Sequence, residues 1–145
     1  MTQLTKVTKP ISATEIKREW HLIDVKGKVI GRVLTQISTL LQGKNKSNYS
    51  ANIDMGDYVV VINAGLLRFT GNKMKTKVYD SFSGFPGGLK KETAGELLRK
   101  NPTRIVINGA SGMLPKNKLR DKRIARLFVF ADDKHTYAAE LGLKA

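Results

Sequence analysis

The run Asp57-Tyr58-Val59-Val60-Val61-Ile62-Asn63-Ala64 is continuously apolar and β-branched between two polar ends. Such a run is typical of a strand covered on both faces, because a half-exposed strand alternates apolar and polar residues. Upstream, Trp20-His21-Leu22-Ile23-Asp24 is rich in strand-forming residues and is closed by the turn signal Lys26-Gly27-Lys28. We therefore predict two strands here, the second of them buried.

A helix is predicted between these two strands. Its apolar residues recur with a period of 3.6 and form one stripe: Ile30, Val33, Leu34, Ile37, Leu40 and Leu41. Gly43 is placed to end the helix in the left-handed conformation. A strand, a helix and a buried strand in succession indicate the βαβ unit of a parallel sheet.

The second half of the chain carries further strand and helix signals. Val78 to Phe82 and Leu127-Phe128-Val129-Phe130 predict two more strands, the latter being the last. Thr93-Ala94-Gly95-Glu96 has the pattern of a capping box, and Asn101-Pro102 that of a helix start. Residues 104–112 fit both a strand and a helical stripe, and we predict a helix. The expected fold class is α/β: a central, mostly parallel sheet of about four strands flanked by helices, with extended basic loops.

The charge of the chain indicates a polyanionic partner. Its 145 residues include 26 Lys and Arg against 12 Asp and Glu, which gives a formal net charge of +14. Phosphates would neutralise this self-repelling charge, so RNA or DNA is the first hypothesis. An anionic membrane is less favoured, because the cations do not follow one face of an amphipathic helix. We divide the chain into a basic N-terminal extension, residues 1–15, and a single α/β RNA-binding domain, residues 16–145.

Other function classes find little support. The chain has no cysteine and two histidines, and no ligand spacing predicts a metal site, so we expect neither metal nor cofactor. The glycine-rich stretch Gly84-Phe85-Pro86-Gly87-Gly88 lacks the Gly-Lys-Ser/Thr end of a P-loop. Asp54 and Asp57 could be taken for a catalytic pair, but we expect Asp57 to cap a turn or pair with a lysine and His21 to be structural. We expect no membrane partner, no small-molecule substrate and no catalysis.

Three segments combine positive charge with Gly, Pro, Asn or Thr: residues 68–77, residues 83–91, and residues 112–120 with their continuation to Arg126. Amide, hydroxyl and backbone N–H groups of such segments can bind phosphate and 2′-hydroxyl oxygens, and we expect a helix to begin near Asn117. The loops are expected to clamp RNA from one side of the domain. The candidate RNA-binding residues are Lys44, Lys46, Thr70, Asn72, Lys73, Lys75, Lys77, Gly84, Gly87, Gly88, Lys90, Lys116, Asn117, Lys118, Arg120 and Arg123.

The order of these motifs resembles the bacterial-type large-subunit ribosomal protein thirteen family. The matching residues span nearly the whole chain and include Trp20 to Asp24, Gly31-Arg32, Gly43-Lys44, Lys46, Tyr49, Asp54, Gly56-Asp57-Tyr58 to Asn63-Ala64, Thr70-Gly71-Asn72-Lys73, Lys77, Tyr79, Gly84, Gly87-Gly88, Lys90 and Gly112-Met113-Leu114-Pro115-Lys116. The resemblance implies a parallel four-stranded sheet and binding to large-subunit ribosomal RNA early in assembly, beside neighbouring large-subunit proteins. Because no apolar run is long enough to span a membrane and no secretory signal is evident, we expect the cytoplasm as the location. An organelle ribosome is the less favoured location.

This chain departs from the family pattern at two places. Ser81-Phe82 stands where family members commonly carry histidines, and Tyr137 replaces a second histidine near the C-terminus, followed by Glu140, Leu141 and Gly142 in place of the usual Gln and Pro. Two alternatives stay open beside a structural role in the ribosome. One is an RNA-binding translational regulator that acts off the ribosome, and the other is an enzyme that binds a phosphorylated ligand.

Overall fold

A computed structural model describes residues 12–142 of the chain. Short 3₁₀ turns occupy Ala13–Glu15 and Ala64–Leu66. The helices and strands are β1 Trp20–Asp24, α1 Ile30–Gln42, β2 Tyr58–Ile62, α2 Lys73–Thr76, β3 Val78–Phe82, β4 Leu89–Thr93, α3 Ala94–Lys100, α4 Pro102–Met113, α5 Leu119–Ile124 and β5 Leu127–Val129. Most of the predicted extension, residues 1–15, lies outside the described residues.

The main sheet is parallel, in the order β1-β2-β5. Trp20 pairs with Tyr58, and Val59 pairs with Leu127. Val59, Val60 and Val61 of the central strand are all 0% exposed, which confirms that this strand is covered on both faces. The predicted βαβ unit is confirmed as β1, α1 and β2.

The main sheet has three strands in the described part of the chain, where the sequence predicts about four. The segment Val78–Phe82 is a strand, but it pairs antiparallel with β4 in a separate hairpin, with Phe82 opposite Leu89. The short loop 83–88 brings these two segments together, because antiparallel neighbours need only a tight connection. Residues 68–77 and 83–91, which we expected to be basic loops, thus contain regular structure: α2 lies in the first and β4 begins in the second.

Helices pack on one face of the main sheet and form the core with it. Val59 and Val61 of β2 meet Ile37 of α1 and Val106 of α4 there. The end of α1 is as predicted, with Gly43 in the left-handed conformation at φ 76° and its N–H donating to the carbonyls of Thr39 and Leu40. The basic segments project from this core of sheet and helices.

Aromatic side chains cover the opposite face of the sheet. The rings of Trp20 and Tyr58 stack with centroids 4.4 Å apart, and those of Phe128 and Tyr137 lie 4.3 Å apart. Tyr137 also stacks on Trp20 at 5.3 Å. The departure from the family pattern at Tyr137 therefore places a packing residue against the sheet, where it ties the C-terminal segment to β1 and β5.

Capping residues define the starts of α3 and α4. Thr93 and Glu96 form the predicted capping box at the start of α3. The Asn101 side chain accepts a hydrogen bond from the backbone N–H of Arg104 at 3.3 Å, and Pro102 follows at the first helical position. Residues 104–112 are helical, as predicted, because this cap and the packing of Val106 and Ala110 outweigh the local strand propensity. Among residues 12–142 we find no helix long and apolar enough to cross a membrane.

Gly56 sits where the chain passes directly over the end of α1. A Cβ atom there would lie 1.9 Å from the carbonyl oxygen of Leu41 and 2.9 Å from a guanidinium nitrogen of Arg126. We expect Gly56→Ala to lower the free energy of unfolding by about 2 kcal/mol or more, because the backbone itself has to move. Urea unfolding measures this change.

The matched control is Gly112→Ala, since Gly112 is helical and exposed and a Cβ there meets nothing within 4 Å. It should raise stability by about 0.5 kcal/mol through helix propensity. Equal effects of the two variants would show that the close approach at Gly56 is not required.

Candidate nucleic-acid interface

The first basic segment lies beside the start of α1. The backbone N–H of Ile30 donates to the carbonyl of Arg68 at 3.1 Å, and that of Arg68 donates to the carbonyl of Lys28 at 3.0 Å. This bridge fixes the segment at the carboxyl edge of the sheet, where β1 and β2 both end. Its candidate residues are all exposed: Thr70, Asn72, Lys73, Lys75 and Lys77.

A cleft of about 490 Å³ opens between this segment, α1 and α4. Its mouth carries the cations Arg32, Lys73 and Lys77 together with Thr70. Its walls are mainly apolar and include Leu34, Phe69, Tyr79, Ile105 and Met113. None of the three cations forms an ion pair with an acidic side chain of residues 12–142. The cleft therefore presents uncompensated positive charge next to an apolar cavity.

The glycine loop joins β3 to β4, and its three candidate glycines differ. Gly84 and Gly87 have φ of 89° and 75°, and a Cβ atom at either position would meet open space. Gly88 has no positive φ, but a Cβ there would lie 2.9 Å from the backbone carbonyl oxygen of Phe85 as well as 2.0 Å from the movable Ser83 hydroxyl oxygen. Its N–H also donates to the carbonyl of Phe85 at 2.9 Å. The turn itself thus requires Gly88, while Gly84 and Gly87 leave their backbone accessible.

Lys90 links the hairpin to the cleft region. It is exposed and lines a smaller groove with Tyr79 and Arg104, and Tyr79 also lines the cleft. The same hairpin exposes large apolar side chains: Phe82 is 66%, Phe85 74% and Leu89 54% exposed. The departure from the family pattern at Phe82 therefore falls on the hairpin surface.

The third basic segment connects α4 to α5. Lys116, Asn117 and Lys118 are exposed, whereas Arg120 is half-buried. The helix predicted near Asn117 is α5, which begins two residues later at Leu119. The Asn117 side chain accepts a hydrogen bond from the Leu119 N–H at 3.1 Å, so this candidate residue also has a local structural role.

A buried carboxylate, Asp57, organises the amino edge of the sheet. It is 0% exposed, and the ammonium group of Lys46 donates to it at 2.5 Å. Lys46 also donates to the carbonyls of Lys17 at 2.7 Å and Met55 at 2.9 Å. The Nε2 atom of His21 lies 3.2 Å from the other Asp57 oxygen. Asp57 therefore pairs with a lysine, as expected, and His21 contacts the same carboxylate, in agreement with a structural role.

A second carboxylate, Asp54, binds two buried arginines. The Arg126 guanidinium donates to both Asp54 oxygens at 2.6 Å. The Nε atom of Arg123 lies 3.5 Å from Asp54, and Arg123 is only 1% exposed. Burial raises the pKa of Asp54 and of Asp57, but the cations that bind them outweigh it and hold both pKa values below the ordinary range.

These contacts correct the expectation for two candidate residues. Lys46 and Arg123 are expected from the sequence as RNA-binding cations, yet both are turned inward onto carboxylates. Burial of Asp54 and Asp57 requires opposite charge nearby, and these cations supply it. The Arg123 side chain is therefore buried, and the ammonium group of Lys46, whose side chain is 17% exposed, is occupied by Asp57 and two backbone carbonyls.

The candidate residues also do not share one side of the domain, contrary to the expectation of a one-sided clamp. The cleft lies at the start of α1, while Lys44 follows its end, about 20 Å away for a helix of 13 residues. Lys44 is exposed, so it remains available at the amino edge. The first two segments meet near Tyr79 at the carboxyl edge.

Residue-by-residue reasoning missed several cleft residues, among them Arg32, Phe69 and Met113. The sequence holds a partial signal for Arg32, because it lies one position before the apolar stripe residue Val33 of α1 and so points away from the core. Phe69 and Met113 lie within the first and third basic segments, but nothing in the sequence places them in one cleft, because their proximity depends on how α4 crosses α1.

We expect Lys46→Ala to destabilise the fold by about 3 kcal/mol, because it leaves Asp57 buried without its main cation. The neighbouring variant Lys44→Ala is the matched control and should change stability by less than about 0.5 kcal/mol, since Lys44 is exposed. Thermal or urea unfolding compares the two. A loss of similar size in both variants would contradict the assignment of Lys46 to the interior.

The lowered pKa values of Asp54 and Asp57 predict acid destabilisation. In each case the unfolded state binds more protons than the folded state, so stability is present above the unfolded pKa of about 3.9 and falls as pH drops through the lower folded pKa. Asp54→Asn should flatten this dependence, measured by urea unfolding between neutral and acidic pH. Asp133→Asn, an exposed substitution, should keep the wild-type slope. Equal slopes for wild type and Asp54→Asn would contradict the role of Asp54.

Comparisons with known proteins agree with this arrangement of motifs. The model of the family described as Ribosomal protein L13 matches residues 18–136. Among similar proteins are those named Large ribosomal subunit protein uL13 in Staphylococcus aureus strains JH9, Newman and USA300. Each is 46% identical over 127 residues, covering 88% of this chain and 88% of the relative. The match includes both carboxylates of the amino edge and every residue of the cleft, and this chain belongs to the ribosomal protein L13 family.

Proposed function

We propose that this chain binds large-subunit ribosomal RNA through exposed basic residues, and that it does so early in assembly of the subunit. The observation that carries the proposal is the cleft mouth, where Arg32, Lys73 and Lys77 meet without an acidic partner among residues 12–142. Uncompensated cations held together at one place favour a polyanion, because phosphates release counterions on binding. The chain's net charge of +14 points the same way.

Family membership makes the chain a structural constituent of the large ribosomal subunit and not an enzyme. Its partners are accordingly ribosomal RNA and other ribosomal proteins. We place it on the cytoplasmic ribosome, with residues 16–145 as its single RNA-binding domain. Asp54 and Asp57, which could be taken for a catalytic pair, are each bound by cations, which supports a structural role for both.

The proposed RNA-binding set follows from exposure. It excludes the inward-facing Lys46 and Arg123, and it assigns Gly88 to shaping the turn beside the contacting residues. It adds Arg32, which the cleft geometry identifies. The set is Arg32, Lys44, Thr70, Asn72, Lys73, Lys75, Lys77, Gly84, Gly87, Lys90, Lys116, Asn117 and Lys118, together with the half-buried Arg120.

The hairpin surface supports a further contact with a neighbouring large-subunit protein. Phe82, Phe85 and Leu89 expose apolar area that a free protein in water would bury. Phe82 and Leu89 are cross-strand neighbours, so their side chains lie on one face of the hairpin. We expect this face to be covered in the assembled subunit.

Replacing Lys73, Lys75 and Lys77 together by alanine tests the proposal. We expect weaker binding to large-subunit ribosomal RNA and a shallower salt dependence, with the log–log slope reduced by about 2, as for the loss of three phosphate contacts. Stability should change by less than about 0.5 kcal/mol, because the three side chains are exposed. Filter binding over a range of salt concentrations measures both affinity and slope.

The charge-matched control replaces Lys17, Lys26 and Lys134, which are exposed and lie outside the three basic segments. It removes the same charge and should leave the slope near that of the wild type. If both triple variants lose affinity equally, net charge alone governs binding and the assignment of residues 68–77 fails.

A further inference from the structure

We propose that the cleft takes one unpaired nucleotide of the RNA, with its base inside the cleft and its phosphate on the cations at the mouth. This inference rests on the proposed RNA-binding function and adds to it the kind of RNA element recognised.

The chemistry of the cleft fits a ligand with an apolar planar part and an anionic part. Leu34, Ile105 and Met113 give one apolar wall, and the rings of Phe69 and Tyr79 contribute aromatic surface. Unstacked bases of RNA bind to such aromatic and apolar surfaces. Its volume of about 490 Å³ lies within the range of about 300–1,000 Å³ that is typical of small-ligand sites.

The cations are placed for the phosphate of such a nucleotide. Arg32 projects from α1, while Lys73 and Lys77 come from α2 and the residue after it, so the mouth is charged on two sides. The ammonium group of Lys77 lies 5.2 Å from the centre of the Tyr79 ring, which brings charge and aromatic surface together. No acidic residue of the described chain lines the cleft.

Gly31 leaves space on the α1 side of the cleft. It lies in α1, where glycine disfavours the helix relative to alanine. The protein itself gives no reason for glycine there, because the φ angle is not positive and a Cβ would meet nothing within 4 Å. Gly31 lines the cleft, so the missing side chain keeps the cavity open.

A base-paired RNA helix could not use this site. The bases of an A-form helix are stacked inside, and its deep, narrow groove does not admit side chains. Only a bulged, looped or otherwise extruded nucleotide can place its base in a cavity, as enzymes that act on extruded bases show. The cleft therefore favours an irregular RNA element over a regular duplex.

The test measures binding of the full chain to a large-subunit ribosomal RNA transcript over a range of salt concentrations, and affinities are compared at the same salt. Gly31→Leu adds a side chain to the cleft from α1 and keeps every cation, and Met113→Trp adds bulk from α4. We expect each to lower affinity about tenfold, the effect of losing one stacked base, with an unchanged salt slope. Gly112→Leu is the matched control, because Gly112 is also helical with open space around it but does not line the cleft. It should bind like the wild type.

Ultraviolet crosslinking supplies the positional readout. We expect wild-type crosslinks from Phe69 or Tyr79 to unpaired nucleotides, lost in Gly31→Leu and kept in Gly112→Leu. Wild-type affinity in both filling variants, or crosslinks from these residues only to paired RNA, would overturn the proposal while leaving RNA binding intact. Saturation of the cleft by free AMP, with RNA affinity unaffected by Gly31→Leu, would also overturn it and identify a free nucleotide as the occupant. Failure of the wild-type chain to bind the transcript at all would instead refute the proposed function.

Discussion

Neutralisation of two carboxylates at the amino edge of the sheet is the constraint on which the rest of the structure depends. Asp57 is fully buried, so its charge requires Lys46 and the surrounding hydrogen bonds. Asp54 requires Arg126 in the same way. The first pair joins the loop after α1 to the start of β2, and the second joins that loop to the approach to β5, 72 residues further along. Lys46, Arg123 and Arg126 are thereby drawn inward at the amino edge, while Arg32, Lys73 and Lys77 at the cleft form no ion pair with an acidic side chain of residues 12–142.

Local sequence patterns were sufficient for the βαβ unit and for the helix starts. The stripe of α1, the apolar run of β2 and the caps at Thr93 and Asn101 each act within one segment, so each can be recognised without knowing its partner. The pairing of Val78–Phe82 could not be recognised in this way. Its strand propensity is evident, but its partner Leu89–Thr93 has the composition of a basic loop until the hairpin forms. Within residues 12–142 the main sheet therefore has three strands and not about four.

The candidate site shows the same division between local and long-range information. Lys44 and Lys46 are two residues apart, yet one is exposed and the other neutralises a carboxylate eleven residues further along. Arg123 similarly has the sequence context of a basic helix face, although its partner Asp54 belongs to another part of the chain. Charge and spacing identify which segments are basic. Only the packed structure distinguishes the cations that hold the protein together from those that face outward.

The aromatic face of the sheet has a practical consequence for any study of this protein. Trp20 is the only tryptophan of the chain, and it stacks on Tyr58 and Tyr137 on the face opposite α1 and α4. Its emission therefore senses whether the C-terminal segment is docked on the sheet, on the side of the domain away from the cleft. A single intrinsic fluorophore can follow folding while a labelled RNA follows binding, so the two equilibria can be recorded separately in the same sample.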